Sequence, residues 1–365
     1  MKKPEVRQLI NPELKVIYWT VTNECNQHCK YCWIDAGKKR GSELTTEQWL
    51  QTFEKIVDLG LMRVKITGGE PFLHWPRIRK VIELLADCGI RLNMETNGTL
   101  LCGEHRQETL KVLRNECFTL LSVSLDSHIP SKHDMFRGMK GAFEETTKAL
   151  ALLKENQIPF SIITVLHNEN YREIQDIIDF VNKMEPLYHQ INTIMPEGRT
   201  KIHSEYQLSP EFYVNELPSM IKRIKKEGER KVQFNVPYVF DPLNRDSLTC
   251  TVGKEICGLL PTGDIAVCGA GINKRELVLG NVLKDDIGEI WMNSPAFLTL
   301  RKDIFESKGI CGNCLFAKYC RGYCRANAFS VYGELDAPFP ICQMLYEQGV
   351  FPDKYMIDPR RDCTY

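Results

Sequence analysis

A chain of 365 residues is long enough for a catalytic domain with its own core and a smaller second domain. Its 47 Lys and Arg balance 47 Asp and Glu, so no net field draws it to nucleic acid, an anionic membrane or an acidic polymer. Neither a signal-type apolar run nor a bilayer-length stretch occurs, so a cytoplasmic protein is expected, in which fifteen cysteines need explaining. In a reducing compartment, clustered thiols read as metal ligands before disulfides or packing groups.

Past a lead-in of residues 1–12, six runs rich in Val, Ile, Leu and Tyr read as strands: Val16 to Val21, Arg63 to Thr67, Arg91 to Glu95, Leu120 to Leu125, Phe160 to Leu166 and His189 to Ile194. Amphipathic stretches separate them. In the first, Thr45 and Gln48 make a capping-box pair, Trp49, Phe53, Ile56 and Val57 share a face, and Gly60 ends the helix. Others run from Trp75 to Asp87, Gln107 to Arg114, Gly141 to Glu155 and Tyr171 to Met184. Six successive βα units predict an α/β fold: a parallel sheet curled into a partial (β/α)6 barrel over residues 13–205, its strand C-terminal ends gathered at one mouth. A charged helix from Leu208 to about Lys231 is expected to lead out of it, within a connector spanning 206–244. From 245 to 365, short segments broken by Gly, Pro, Asn and Asp carry eight cysteines between Cys250 and Cys342. That pattern suits a small domain organised by metal more than by apolar burial.

Cys25, Cys29 and Cys32 stand just past the first strand, in Asn23-Glu24-Cys25-Asn26-Gln27-His28-Cys29-Lys30-Tyr31-Cys32. Three thiolates on one loop can hold three irons of a [4Fe–4S] cluster and leave the fourth open for chemistry. Zinc would want a fourth ligand, and the nearby candidate, His28, is wedged between two of the cysteines. Gly68-Gly69-Glu70-Pro71 closes the second strand; alone it reads as a turn. Two glycines also let a ligand approach the backbone, and a carboxylate can accept hydrogen bonds from an ammonium. Thr96-Asn97-Gly98 and Ser124-Leu125-Asp126 end the third and fourth strands, and His133-Asp134-Met135-Phe136-Arg137-Gly138 follows.

These motifs, in this order and on these elements, resemble the radical S-adenosylmethionine (SAM) enzymes, whose signature is three cysteines separated by three and two residues with an aromatic before the last, here Tyr31. The resemblance covers nearly the whole chain. It implies a radical SAM barrel in which Cys25, Cys29 and Cys32 ligate the catalytic, SAM-cleaving cluster. It also implies that Gly68, Gly69, Glu70 and Pro71 bind the SAM amino group, that Asn97 belongs to the same cofactor pocket, and that Ser124 and Asp126 face the ribose and methionine portion. Arg137 would take the SAM carboxylate with its planar fork. Met195, with Pro196, Gly198 and Arg199, would close the pocket over the adenine.

Cys250, Gly263 and Cys268, then Cys311, Cys314, Cys320 and Cys324 spaced by two, five and three residues, and finally Cys342, resemble a SPASM domain. With Cys257 there are eight thiols, enough for two fully ligated [4Fe–4S] clusters and three clusters in the whole chain. By likeness to sulfatase-maturing members, Cys250, Cys257, Cys268 and Cys324 would hold the nearer auxiliary cluster, and Cys311, Cys314, Cys320 and Cys342 the farther. Cys257 has an alternative: as a packing thiol it would leave the nearer cluster an open iron. Cys88, Cys102, Cys117 and Cys363 stand alone and read as ordinary thiols.

The chemistry implied is formation of a 5′-deoxyadenosyl radical that takes a hydrogen atom from an unactivated carbon, the substrate radical then passing an electron to the auxiliary clusters. By association with the SPASM family, the expected reaction is oxidative modification of a ribosomally made peptide, a crosslink or related change. Two features depart from that reading. Sulfatase-maturing enzymes place an Asp after the cysteine matching Cys268, where this chain has Gly269, Ala270 and Gly271, leaving Tyr238 and Asp241 as candidate bases. The chain also begins close to its first strand, so a leader peptide would need a separate recognition protein. Both features favour the alternative: dehydrogenation, epimerisation or decarboxylation of a small molecule such as an aminosugar or a tetrapyrrole. A third reading, a non-catalytic iron–sulfur electron carrier, leaves the Gly68 to Pro71 motif and Arg137 without purpose. Besides substrate, the expected partner is an electron donor such as flavodoxin or ferredoxin.

Overall fold

The six apolar runs form strands β1 (Val16–Thr20), β2 (Arg63–Thr67), β3 (Arg91–Thr96), β4 (Phe118–Ser124), β5 (Phe160–Leu166) and β6 (His189–Thr193), paired in parallel in chain order. The computed structural model describes residues 13–228, 231–242, 250–302 and 307–365; the expected lead-in lies outside them. Between the strands run α1 (Thr46–Val57), α2 (Trp75–Asp87), α3 (Arg106–Leu113), α4 (Pro130–Arg137), α5 (Ala142–Glu155) and α6 (Ile174–Asn182). The capping box of α1 forms as read: the Gln48 amide donates to Thr45 Oγ1 at 3.3 Å and the Thr45 amide to Gln48 Oε1 at 2.9 Å. The sequence reading missed α4, although Pro130 in its first turn and Gly138 in the left-handed region after it are ordinary helix punctuation.

One face of the sheet is apolar. Ile17, Trp19, Val64, Ile66, Leu92, Met94, Leu121 and Val123 are fully buried, and Trp19 meets Trp49 and Phe53 edge-on at 5.3 and 5.0 Å. The other face carries Tyr18, Lys65, Asn93, Glu95, Ser122 and Ser124 at the alternating positions. A parallel strand packed by protein on both sides reads as a continuous apolar run, so this polar face lines a lumen.

One expectation needs correction. The segment expected to leave the barrel instead extends it: a π-turn at Phe212–Glu216 leads into α7 (Leu217–Lys226), and β7 (Val232–Asn235) pairs in parallel with β6. Pro218 has no N–H to donate backward, which accounts for the widened turn before it. Leu217, Ile221 and Ile224 share a buried cluster with Val232 and Phe234. The C-terminal part joins the same sheet. β8 (Ile256–Leu259) pairs in parallel with β1, and β9 (Asp264–Ala266) and β10 (Val278–Asn281) follow antiparallel. The result is an open sheet of order β10-β9-β8-β1-β2-β3-β4-β5-β6-β7, a partial barrel that does not close. An unpaired β1 edge would leave a row of amides and carbonyls without partners, and β8 supplies them. Val252, Leu259, Ile265, Val267, Trp291 and Phe297 then join the core of Ile17 and Trp49. Among the described residues no helix is long and apolar enough to cross a membrane.

Candidate active site

The loop bearing Cys25, Cys29 and Cys32 leaves the C-terminal end of β1 and is held from several sides. It closes on itself through Gly37 N to Asn23 O (2.9 Å) and Cys25 N to Gly37 O (3.1 Å). From the end of β2, the Gly69 amide donates to Thr22 O and the Glu70 amide to Glu24 O, each at 2.8 Å. A Cβ on Gly69 would stand 2.0 Å from Glu24 O, so only glycine permits this approach. From α4, the Arg137 and Phe136 carbonyls accept from the His28 and Lys30 amides, each at 2.9 Å. From the loop after β6, Arg199 donates its amide to Cys32 O (3.0 Å), Nε to Cys29 O (2.7 Å) and Nη1 to Ala36 O (2.6 Å). Gly198, at φ +60°, brings its backbone so close that a Cβ would meet Cys32 O at 2.3 Å. Gly69, Gly198 and Arg199, read from sequence as cofactor-facing, therefore clamp the cysteine loop.

Glu70 does the same kind of work. Its carboxylate is fully buried and accepts from Thr96 Oγ1 (2.8 Å), the Asn97 amide (2.8 Å) and the Phe72 amide (3.1 Å), with both oxygens engaged. The side chain ties the end of β2 to the end of β3, and its three donors leave one of the carboxylate's four lone-pair sites unfilled, so the tie does not exclude an approaching ammonium. Burial pushes its pKa up to about 7 against the pull of those donors. Glu70→Ala leaves three buried donors unpaired at about 1–3 kcal/mol each, so a loss of at least ~3 kcal/mol is expected in urea denaturation; a loss below ~1 kcal/mol would refute the tie. Asn97 continues the tie toward the thiols, with Nδ2 2.9 Å from Asn26 Oδ1 and 3.9 Å from Cys25 Sγ. Pro71 is buried, opening a short 3-10 turn.

Asp126 and Arg137, expected to face the ribose and carboxylate of SAM, pair with each other. Arg137 Nη2 lies 2.6 Å from Asp126 Oδ2, with 8 % and 0 % of the two side chains exposed. The other carboxylate oxygen accepts from the Val165 amide at 2.9 Å, and the Tyr31 hydroxyl also donates to Asp126. A carboxylate and a guanidinium taken out of water together neutralise one another, which sequence spacing cannot express. Arg137 Nη1 is 3.8 Å from Cys29 Sγ. Ser124 sits at the end of β4 on the polar face, and Met195 is half-buried just beyond β6.

The three thiols act electrostatically on one another. Burial pushes Cys25 up to about 12 and raises Cys29 as well. Yet N–H groups point at the sulfurs: the Gln27 amide at Cys25 (3.4 Å), the Ala36 amide at Cys32 (3.3 Å) and Arg137 at Cys29. Buried thiols disfavour ionisation unless a cation takes the charge, and N–H···S donors suit metal-bound thiolates. The donor set fits an iron–sulfur cluster.

In the C-terminal part, Cys250, Cys268 and Cys324 act on one another, burial and then Cys324 raising Cys268 most. Cys257 does not share their side. In β8, Cys257 lies opposite Ile17 and Gly258 opposite Tyr18, so Cys257 points to the apolar face. Its sulfur is fully buried and donates to Ala266 O at 3.5 Å. A Cβ on Gly258 would strike the Cys268 backbone at 2.7 Å, which places Cys268 on the opposite, luminal face. Strand parity thus sets the Cys257 sulfur on the apolar side, away from the luminal face of Cys268, although a charge on it still acts on Cys268. Cys311, Cys314, Cys320 and Cys342 line a single apolar pocket together with Val239, Phe316 and Phe339. Asp241, considered as a base, is buried and bound through both oxygens to Lys225 Nζ at 2.7 Å. Tyr238 stacks on Phe316 at 6.4 Å. The Asp241 carboxylate is engaged by Lys225.

The lumen holds residues that sequence reasoning did not single out. Lys65 Nζ lies 2.6 Å from Glu95 Oε1, and 31 % and 33 % of these side chains stay accessible although both strands are central in the sheet. Lys65 also lies over the Tyr18 ring at 5.2 Å. Burial works against its charge, but Glu95 and Tyr18 outweigh it and lift its pKa above the ordinary value. Burial raises the Cys250 thiol, which the Val252 amide, Arg321 and Lys65 pull back. The available signal was a lysine at an inward position of a strand due to be covered on both faces.

The profile of the Radical SAM superfamily matches residues 19–181, and that of the SPASM iron–sulfur cluster-binding domain matches residues 250–315. The chain belongs to the radical SAM enzymes that carry a SPASM domain. It is 29 % identical to the AdoMet-dependent heme synthase of Nitratidesulfovibrio vulgaris, over 91 % of this chain and 93 % of that protein. It is 26 % identical to the mycofactocin maturase MftC of Mycobacterium tuberculosis, over 94 % and 87 %. The solved structure of anSMEcpe with bound AdoMet and Cp18Cys peptide has the same fold, with a TM-score of 0.70 over 91 % of this chain and 94 % of that one at 19 % identity.

Proposed function

We propose that Cys25, Cys29 and Cys32 hold the SAM-cleaving cluster, that Cys250, Cys268 and Cys324 hold the nearer auxiliary cluster without Cys257, and that Cys311, Cys314, Cys320 and Cys342 hold the farther. Bound there, SAM and its cluster supply a 5′-deoxyadenosyl radical for abstraction of a hydrogen atom. The chain's own residues keep the cysteine loop rigid through Gly69, Glu70 and Arg199, and present the substrate carbon from the polar lumen. The observation that carries this reading is the placement of two separate thiol groups, one at the C-terminal end of β1 and one on the luminal side of β8 beside it. The substrate is a ribosomally made peptide, oxidised at a C–H position, a reading supported by likeness to the mycofactocin maturase.

A second reading rests on Lys65. A charged ammonium in an accessible lumen, next to the nearer auxiliary thiols, suits a substrate carboxylate, and the heme-synthase relative favours a small acidic molecule of tetrapyrrole type. Its reaction balances as one hydrogen atom to the deoxyadenosyl radical, one electron to the auxiliary cluster and release of CO2, leaving an alkene.

Anaerobic reconstitution, iron counting and assay of 5′-deoxyadenosine after reduction with SAM test the common core. About twelve irons, three four-iron clusters, with deoxyadenosine formed are expected; about four irons would remove the auxiliary clusters from the reading. Mass spectrometry then separates the substrates, since a crosslinked peptide loses two hydrogens and an acid loses two hydrogens together with CO2. For an acidic substrate, Lys65→Met should raise KM about tenfold, the ~1.4 kcal/mol of one charge-assisted hydrogen bond, with kcat little changed; an unchanged KM would sink the role of Lys65.

A further inference from the structure

We infer that Arg137 sets the reduction potential of the SAM-cleaving cluster through the sulfur of Cys29, and that Asp126 governs how much of its charge the cluster feels. This rests on the proposal that Cys25, Cys29 and Cys32 hold a cluster. The guanidinium is buried, 6 % exposed, and its two amino groups are divided between two partners: Nη1 at 3.8 Å from Cys29 Sγ and Nη2 at 2.6 Å from Asp126 Oδ2. The third nitrogen, Nε, is buried without a partner.

A cluster becomes more negative on reduction, so a fixed cation and an N–H donor at one of its sulfurs stabilise the reduced state and raise the potential. Away from water such a charge is poorly screened. Asp126 offsets part of it. That carboxylate is held by the Val165 amide and by the hydroxyl of Tyr31, the aromatic within the cysteine motif, so its distance from the guanidinium is built in. The other titratable groups packed around it, His133 and His167, are held neutral by burial, each lowered to about 4, and add no charge at neutral pH.

The test is an anaerobic redox titration of the reconstituted enzyme without SAM, followed by electron paramagnetic resonance. The relevant cluster is recognised as the one whose signal changes when SAM is added. At the wild-type midpoint, Arg137→Met should hold about tenfold less reduced cluster relative to oxidised, a shift of ~59 mV to lower potential for one electron. Arg137→Lys, which keeps the charge and loses the fork, should fall between. Asp126→Asn, nearly isosteric, removes the charge while keeping one acceptor oxygen for the Val165 amide; it should shift the other way and carries the test if Arg137→Met does not fold. Unchanged SAM-free midpoints in all variants, with weakened SAM binding, would assign the guanidinium to SAM alone and overturn the inference. A wild-type enzyme lacking any SAM-responsive cluster would overturn the proposed function beneath it instead.

Discussion

Cys29→Ala should reduce 5′-deoxyadenosine formation to background while the protein keeps about two thirds of its iron, eight of about twelve atoms. The sulfur of Cys29 sits at the centre of the loop, buried, with Arg137 on one side and its own carbonyl gripped by Arg199 Nε at 2.7 Å. Removing it leaves two thiols for a cluster that needs three, and nothing else in the loop can substitute, since His28 has its backbone pinned to α4. The C-terminal thiols lie on other elements and should load normally. Iron analysis and chromatographic detection of deoxyadenosine read the two effects separately. Cleavage at the wild-type rate would remove the catalytic role from this loop, and loss of all iron would mean that the two thiol groups do not assemble independently.

The second large effect concerns the nearer auxiliary group. Cys324→Ala should lose about four irons and abolish substrate oxidation, while SAM cleavage continues without productive turnover. Cys257→Ala should keep all the iron and cost only the ~1 kcal/mol of a small buried void. The contrast follows from strand parity: Cys257 lies on the apolar side of β8 among Ile17, Leu259 and Ile265, whereas Cys268 lies against Gly258 on the other face. Iron content of the two variants, prepared side by side, decides it. A four-iron loss in Cys257→Ala would place that thiol in the cluster and refute the parity argument. Retention of iron in Cys257→Ala leaves three protein thiolates for four irons, a cluster with an open position facing the lumen.

Lys65 and Arg137 show how charges divide the two halves of this site. Arg137 is sealed against Asp126 beside the cysteine loop and is spent on the protein's own groups. Lys65 is paired with Glu95 but remains accessible from the lumen. A buried pair tunes what is permanently bound, and an exposed one meets what comes and goes.

The residues that were legible in the sequence are those whose signal is local. Alternation of Val, Ile and Leu marked β1 to β6, Thr45 and Gln48 marked the start of α1, and the spacing of Cys25, Cys29 and Cys32 marked one loop able to hold three irons. Each depends on neighbours within a few positions. What the tertiary structure alone decided is non-local. Whether Cys257 faces cluster or core depends on its register against Ile17, more than two hundred positions away in the chain, and a shift of one residue would reverse it. Whether Val232–Asn235 is connector or strand depends on the free edge of β6. Which partners Glu70, Asp126 and Arg137 find within the protein depends on which polar groups burial brings within reach, because a charge removed from water must take the nearest partner.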